Sequence, residues 1–123
     1  MATKKSINID YRAVRLRIRP QYEDTLYNEV LPYSLEHWGA IVMLEFWKEI
    51  TRKITMLYTM PDANPICKHI ESTPTTTYRN IILPKYPYKI IYSVKRNDVT
   101  ILNIIHKSIN PTKYKELIKQ KRK

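Results

Sequence analysis

The fold turns on Tyr88-Lys89-Ile90-Ile91-Tyr92-Ser93-Val94-Lys95-Arg96-Asn97-Asp98-Val99-Thr100-Ile101-Leu102-Asn103-Ile104-Ile105-His106. Tyr88 to Val94 is rich in aromatic and β-branched residues, which suit a pleated, half-buried surface. Arg96-Asn97-Asp98 is a hairpin signal, with Asn and Asp standing in for glycine at positive φ. Val99 to His106 is the returning strand. Its apolar residues lie on both faces, so it is expected to be central and covered on both sides.

Working outward, Pro84 ends a further strand over Tyr78–Leu83, and Thr73–Thr77 reads as a turn. Ile66–Ile70 is expected as a short strand. Downstream, Pro111 opens a short helix that puts Tyr114, Leu117 and Ile118 on one side. Upstream of Pro65 the period changes. Met43, Trp47, Ile50, Ile54 and Leu57 are spaced 4, 3, 4 and 3, with Phe46 widening the stripe. That predicts an amphipathic helix from about Trp38 to Tyr58, closed by Pro61, Asp62, Asn64 and Pro65. Tyr22, Leu26 and Val30 recur every four residues. They predict an earlier helix from Pro20 or Gln21, kinked or ended at Pro32. Little chain separates the two helices, so they form a hairpin. Val14-Arg15-Leu16-Arg17-Ile18-Arg19 alternates apolar and basic, a strand ended by Pro20. The expected class is α+β, a single domain. An N-terminal strand and a helical hairpin pack on a mainly antiparallel sheet of about four strands. Residues 1–12 and 112–123 are read as basic tails.

The chain has 123 residues, 43% of them hydrophobic, which suffices for one core. Its net charge is +11, which favours an anionic partner. The charge is uneven: residues 21–60 hold three basic and six acidic residues, while residues 84–123 hold eleven basic and two acidic. With a single glycine, Gly39, glycine-rich phosphate loops and the Gly-x-Ser-x-Gly elbow are excluded. Cys67 is the one cysteine, so no internal disulfide forms. No apolar run approaches the ~20 residues of a membrane span, and the first residues lack a secretory apolar stretch. A cytoplasmic protein without membrane contact is expected. Cys67-Lys68-His69 is a ligand-like pair with no second pair at zinc spacing, so no metal and no other cofactor is assigned.

The basic residues carry more information. Arg15, Arg17 and Arg19 share one strand face, roughly 6.6 Å apart, which matches either a phosphate backbone or a wet sheet face. Arg79, Lys85, Lys89, Lys95, His106 and Lys107 lie in or beside neighbouring strands, interleaved with Tyr78, Tyr86, Tyr88 and Tyr92. Cations hold phosphates, tyrosines stack on unpaired bases, and an imidazole among cations exchanges protons near neutrality. Tyr88 and Tyr92 share a face with Ile90 and Val94, which favours a core role for these two rings.

Taken in order, Tyr78-Arg79, then Tyr88 to Val94, then Val99 to His106 resemble the toxin superfamily named for RelE and ParE. Trp38-Gly39 opening a long helix, and Leu57-Tyr58-Thr59-Met60-Pro61 closing it, are similar to that family's passage from helices to sheet. The resemblance spans about Val14 to Pro111. It implies the toxin of a type II toxin–antitoxin pair, neutralised by a cognate acidic antitoxin. In the RelE branch it implies a metal-independent endoribonuclease that cuts mRNA on the ribosome, the 2′-hydroxyl attacking the adjacent phosphate. Such chemistry needs cations for the phosphorane charge and groups that move protons. By position, Arg79, Lys89 and His106 match that branch's catalytic residues, with lysine where arginine is common. Arg15, Arg17, Arg19, Lys85, Lys107 and Tyr114 are the expected nucleic-acid contacts. The ParE branch shares the fold but poisons DNA gyrase and has no nuclease site. A third alternative is a non-catalytic basic nucleic-acid-binding module. The sequence reading places message cleavage first.

Overall fold

The computed structural model describes residues 13–119. In chain order these form β1 (Arg15–Ile18), α1 (Pro20–Thr25), a π-helical turn (Leu26–Val30), α2 (Leu31–Trp38), α3 (Ala40–Thr55) and a 3-10 turn (Met56–Tyr58). Then follow β2 (Thr77–Ile82), β3 (Tyr88–Lys95), β4 (Asp98–His106), a second 3-10 turn (Pro111–Lys113) and α4 (Tyr114–Leu117). The sheet order is β1-β4-β3-β2. β1 runs parallel to β4, and the other two pairs are antiparallel. β4 is therefore internal, as its two-sided apolar pattern requires.

One irregularity in β4 decides which side chains meet. Ile91 pairs with Asn103, but the next residue, Tyr92, pairs with Ile101. Leu102 is the extra residue of a β-bulge, and it points to the same face as Asn103. Beyond the bulge the alternation is reversed. Val99, Ile101 and Ile104 face the helices, whereas Leu102 and Ile105 face away.

The helical layer covers the front of the sheet. Tyr22, Leu26 and Val30 supply one buried row and Phe46, Ile50, Ile54 and Leu57 the other, both packed on Tyr88, Ile90 and Tyr92. Phe46 is the centre of an aromatic group with Trp38, Tyr86 and Tyr88 at ring distances of 5.7, 4.5 and 5.6 Å. Trp47, expected on the buried stripe, is 37% exposed, and Phe46 takes the core position instead. The helix does not end at Pro32. The Leu31 N–H reaches back across the π turn to the Leu26 carbonyl. That wide turn makes room for a proline ring that has no N–H to give.

Gly39 joins α2 to α3 at φ 90° and ψ 165°, a region almost confined to glycine. A Cβ there would meet nothing within 4 Å, so a substitution costs backbone strain alone. Gly39→Ala is expected to lower stability by about 1–3 kcal/mol, read as a shift of the urea midpoint without a change in slope. An unchanged midpoint would mean that the helix junction adopts another backbone.

A second, smaller cluster lies behind the sheet: Cys67, Ile70, Tyr114 and Ile118 cover Ile91, Leu102 and Ile105. Two expectations change here. Ile66–Ile70 is not a strand; Ile66 makes one isolated bridge to Arg79 and the rest is turn. Residues 112–119, expected within a basic tail, pack on the sheet through Tyr114, which is 2% exposed. Gln21 and Asn103 both donate to the Leu117 carbonyl, and Arg19 donates to that of Ile118. These donors satisfy carbonyls that the end of α4 leaves open. Residues 1–12 and 120–123 lie outside the described residues.

Burial pushes the hydroxyls of Tyr22, Tyr88 and Tyr92 above their ordinary pKa of 10.0. Like charge adds to this at Tyr22 (Tyr27 and Glu23) and at Tyr88 (Tyr33 and Glu29), while the Asn64 hydrogen bond and Arg79 oppose it at Tyr92. Above pH 10 the unfolded chain gives up protons that the folded chain keeps, so the folded state is disfavoured. Stability is expected to hold up to about pH 10 and to fall as pH rises beyond it. Urea midpoints at pH 8 and pH 11 check this; equal midpoints would contradict it.

Candidate functional site

The three residues matched to nuclease positions do not converge. Side chains of directly paired residues share a sheet face. His106 pairs with Tyr88 and Arg79 with Tyr92, so both face the helices. Lys89 pairs with Ile105 and faces the back, its ammonium 4.6 Å from the centre of the Tyr114 ring. Arg79 and His106 share a face, but four residues and two strand spacings separate them, roughly 16 Å.

His106 stands at the end of β4, edge-on to Tyr88 at 5.2 Å. The Ser108 backbone N–H donates to His106 Nδ1 at 3.1 Å, and Ser108 Oγ lies 2.7 Å from the same nitrogen. A backbone N–H can only donate, so Nδ1 accepts and the ring hydrogen sits on Nε2. In that tautomer Nε2 has no lone pair to take a hydroxyl proton. His106 opens on a cavity of about 540 Å3, whose walls include Glu29, Tyr33, Tyr88 and Glu116. Glu29 lies in the π turn, and the sequence periodicity gave no sign that it would line the same cavity as His106.

Arg79 holds a loop. Its Nη1 donates to the Asn64 carbonyl at 2.6 Å, and its Nε stands 3.8 Å from Asp62 Oδ1, beyond hydrogen-bond range. Beside it the Tyr92 hydroxyl donates to the Pro61 carbonyl at 2.7 Å and accepts from Asn64 Nδ2 at 3.1 Å. The side chain is 17% exposed. These contacts pin residues 61–64 to the sheet.

The expected nucleic-acid contacts also divide. Tyr114 is buried in the back cluster. Lys107 Nζ donates to the Leu83 carbonyl at 2.9 Å. Lys85 lines a cleft with Glu45, Lys48, Glu49 and Arg52. Arg19 is engaged by the end of α4. Arg15 and Arg17 remain on the exposed back of β1, where Arg15 Nε lies 2.8 Å from Asp98 Oδ1. The Arg17 side chain makes no hydrogen bond or ion pair among the described residues.

Two cations outside the expected contact set lie beside them, Lys95 and Arg96. Lys95 pairs with Asp98, which pairs with Arg15, so one row crosses three strands. Arg96 occupies the two-residue turn at φ 57°. The hairpin signal put Asn97 and Asp98 in the left-handed conformation; neither takes it. On the helical side, Ile41, Leu44 and Trp47 form an exposed apolar row along α3, with Ile41 76% exposed. Such a row is a surface suited to a protein partner. No described helix is long and apolar enough to cross a membrane.

Comparison with known proteins bears on this arrangement. The structure is similar to a chain of the solved chromosomal ParDE TA system from P. aeruginosa, with a TM-score of 0.59 at 16% sequence identity. The match covers 76% of this chain and 95% of that one. At that identity the likeness speaks for the fold. No curated protein sequence matches significantly. In sequence, residues 16–111 match the family described as ParE toxin of type II toxin-antitoxin system, parDE. That span takes in the sheet and the helical hairpin together, and by it the chain belongs to the ParE toxin family.

Proposed function

We propose that the protein is a gyrase-directed toxin, held inactive by a cognate antitoxin, and that it works by binding rather than by cutting RNA. The observation that carries this reading is the ParE family match over residues 16–111. The placement of the nuclease-matched residues supports it. RNA cleavage needs its proton-transfer groups and cations around one phosphate, within hydrogen-bond reach. Lys89 lies behind the sheet, Arg79 is engaged by a loop carbonyl, and the His106 imidazole is committed through Nδ1 to Ser108. The order of the two branches drawn from sequence is therefore reversed, and message cleavage becomes the second reading. The exposed apolar row on α3 and the +11 charge offer an acidic, amphipathic antitoxin both an apolar and an electrostatic handle.

Expression from an inducible promoter is expected to arrest growth. Co-expression of the neighbouring reading frame should restore it and give a co-purifying complex. Primer extension on abundant messages should show no new ends after induction. Induced ends that vanish in His106→Ala would instead favour cleavage.

A further inference from the structure

We infer that the back edge of the sheet is a phosphate-binding face for duplex DNA, built from Arg15, Arg17, Lys95 and Arg96. The inference rests on the gyrase reading, since it assigns this face to the DNA that a topoisomerase holds.

Four observations carry it. First, the charge is polarised. The helical hairpin, residues 20–55, carries six acidic and three basic residues, whereas the cations concentrate on the other segments. The helical layer is thus net acidic, and the described residues outside it are net basic. Second, the four cations form a compact set. Arg15 and Arg17 lie two residues apart on β1, about 6.6 Å, and Lys95 lies two strands from Arg15, about 10 Å. Arg15, Lys95, Arg96 and Asp98 line one shallow concavity, in which Asp98 is the single carboxylate among the described residues. That carboxylate is already paired with Arg15. Third, the platform is rigid. The Arg15 N–H donates to the Asn97 carbonyl at 2.8 Å, which ties β1 to the hairpin turn. Fourth, Arg96 sits where the backbone prefers glycine or asparagine, at φ 57°. Asn97 is the next residue, so a residue better suited to that conformation stands one position away. A sequence that breaks a local rule in this way is expected to gain something elsewhere. Here the gain is a fourth cation on the same edge.

The chemistry points to duplex phosphates. Among the described residues the patch carries no aromatic ring, so these offer no stacking platform on which unpaired bases are held. Cations on a flat sheet edge meet the backbone and read no sequence.

The test uses the full-length toxin and a fluorescein-labelled 20-base-pair duplex of arbitrary sequence, followed by anisotropy from 50 to 200 mM salt. Binding is expected with a log–log salt slope of about −3 to −4, as for three or four neutralised phosphates. Arg17→Glu combined with Lys95→Glu should weaken binding at least tenfold and flatten the slope. Lys48→Glu combined with Lys53→Glu makes the same change in net charge on the helical side and should weaken binding less than threefold. Arg96→Gly should weaken binding severalfold while melting no lower than the parent, which separates loss of contact from loss of fold. The inference is overturned if the Arg17/Lys95 variant binds like the parent, or if the Lys48/Lys53 variant loses as much. It is also overturned if single-stranded RNA of equal length binds tenfold tighter than the duplex. A toxin that binds DNA as described but leaves gyrase untouched would sink the gyrase reading alone. A toxin that inhibits gyrase without this binding would sink the inference alone.

Discussion

Phe46→Ala should destabilise the protein by about 3–5 kcal/mol, the range for truncating a fully buried aromatic. The Phe46 ring is inaccessible to solvent and touches Trp38 from α2, Tyr86 from the β2–β3 connection and Tyr88 from β3. It thereby joins both helices to the sheet. Small domains have only about 5–15 kcal/mol of stability in all, so the variant should unfold at a markedly lower urea concentration. Trp47→Ala, one residue on, should cost less than half as much, because Trp47 is already partly in water. A loss at Phe46 no larger than that at Trp47 would contradict the packing described.

Arg79→Ala should cost about 2–3 kcal/mol, the range for a hydrogen bond to a charged group that leaves its partner unsatisfied. The guanidinium is mostly buried and donates to the Asn64 carbonyl. Its removal frees residues 61–64 on one side, leaving the Tyr92 hydroxyl to hold them on the other. Arg79→Lys should recover part of the loss, since an ammonium can still donate there. A residue kept for catalysis behaves otherwise: its removal commonly leaves stability unchanged or raised. An unchanged urea midpoint in Arg79→Ala would return Arg79 to the list of candidate catalytic groups.

Much of the architecture was legible because periodicity reports burial directly. The alternation in β1, the two-sided apolar pattern of β4 and the four-residue spacing of Tyr22, Leu26 and Val30 each name an element and its face. Pro32 misled because proline is costly in an α-helix, and a π turn that removes the conflict has no signature in composition. The candidate site residues lie apart for a sharper reason. Counting outward from a two-residue turn, Lys95 pairs with Asp98, and unbroken alternation would put His106 on the same face as Lys89. The bulge at Leu102 adds one residue to β4 and carries His106 to the opposite face. A one-residue change of register exchanges the faces of everything beyond it. Nothing in Ile101-Leu102-Asn103-Ile104 announces a bulge, although Asn103 is the one polar residue in an apolar run. Arg96 was hidden differently: propensity pointed to Asn97, and only the backbone shows which residue turned.

The central claim is that this member of the ParE family acts on gyrase and not on message. It is tested most directly by purified gyrase supercoiling relaxed plasmid in the presence of the purified toxin, with His106→Ala assayed alongside. Supercoiling should be blocked by the parent and equally by His106→Ala, and the block should be lifted by the antitoxin. Undiminished supercoiling, in a preparation whose induction arrests growth and produces His106-dependent message ends, would contradict the claim and move the protein to the cleaving branch.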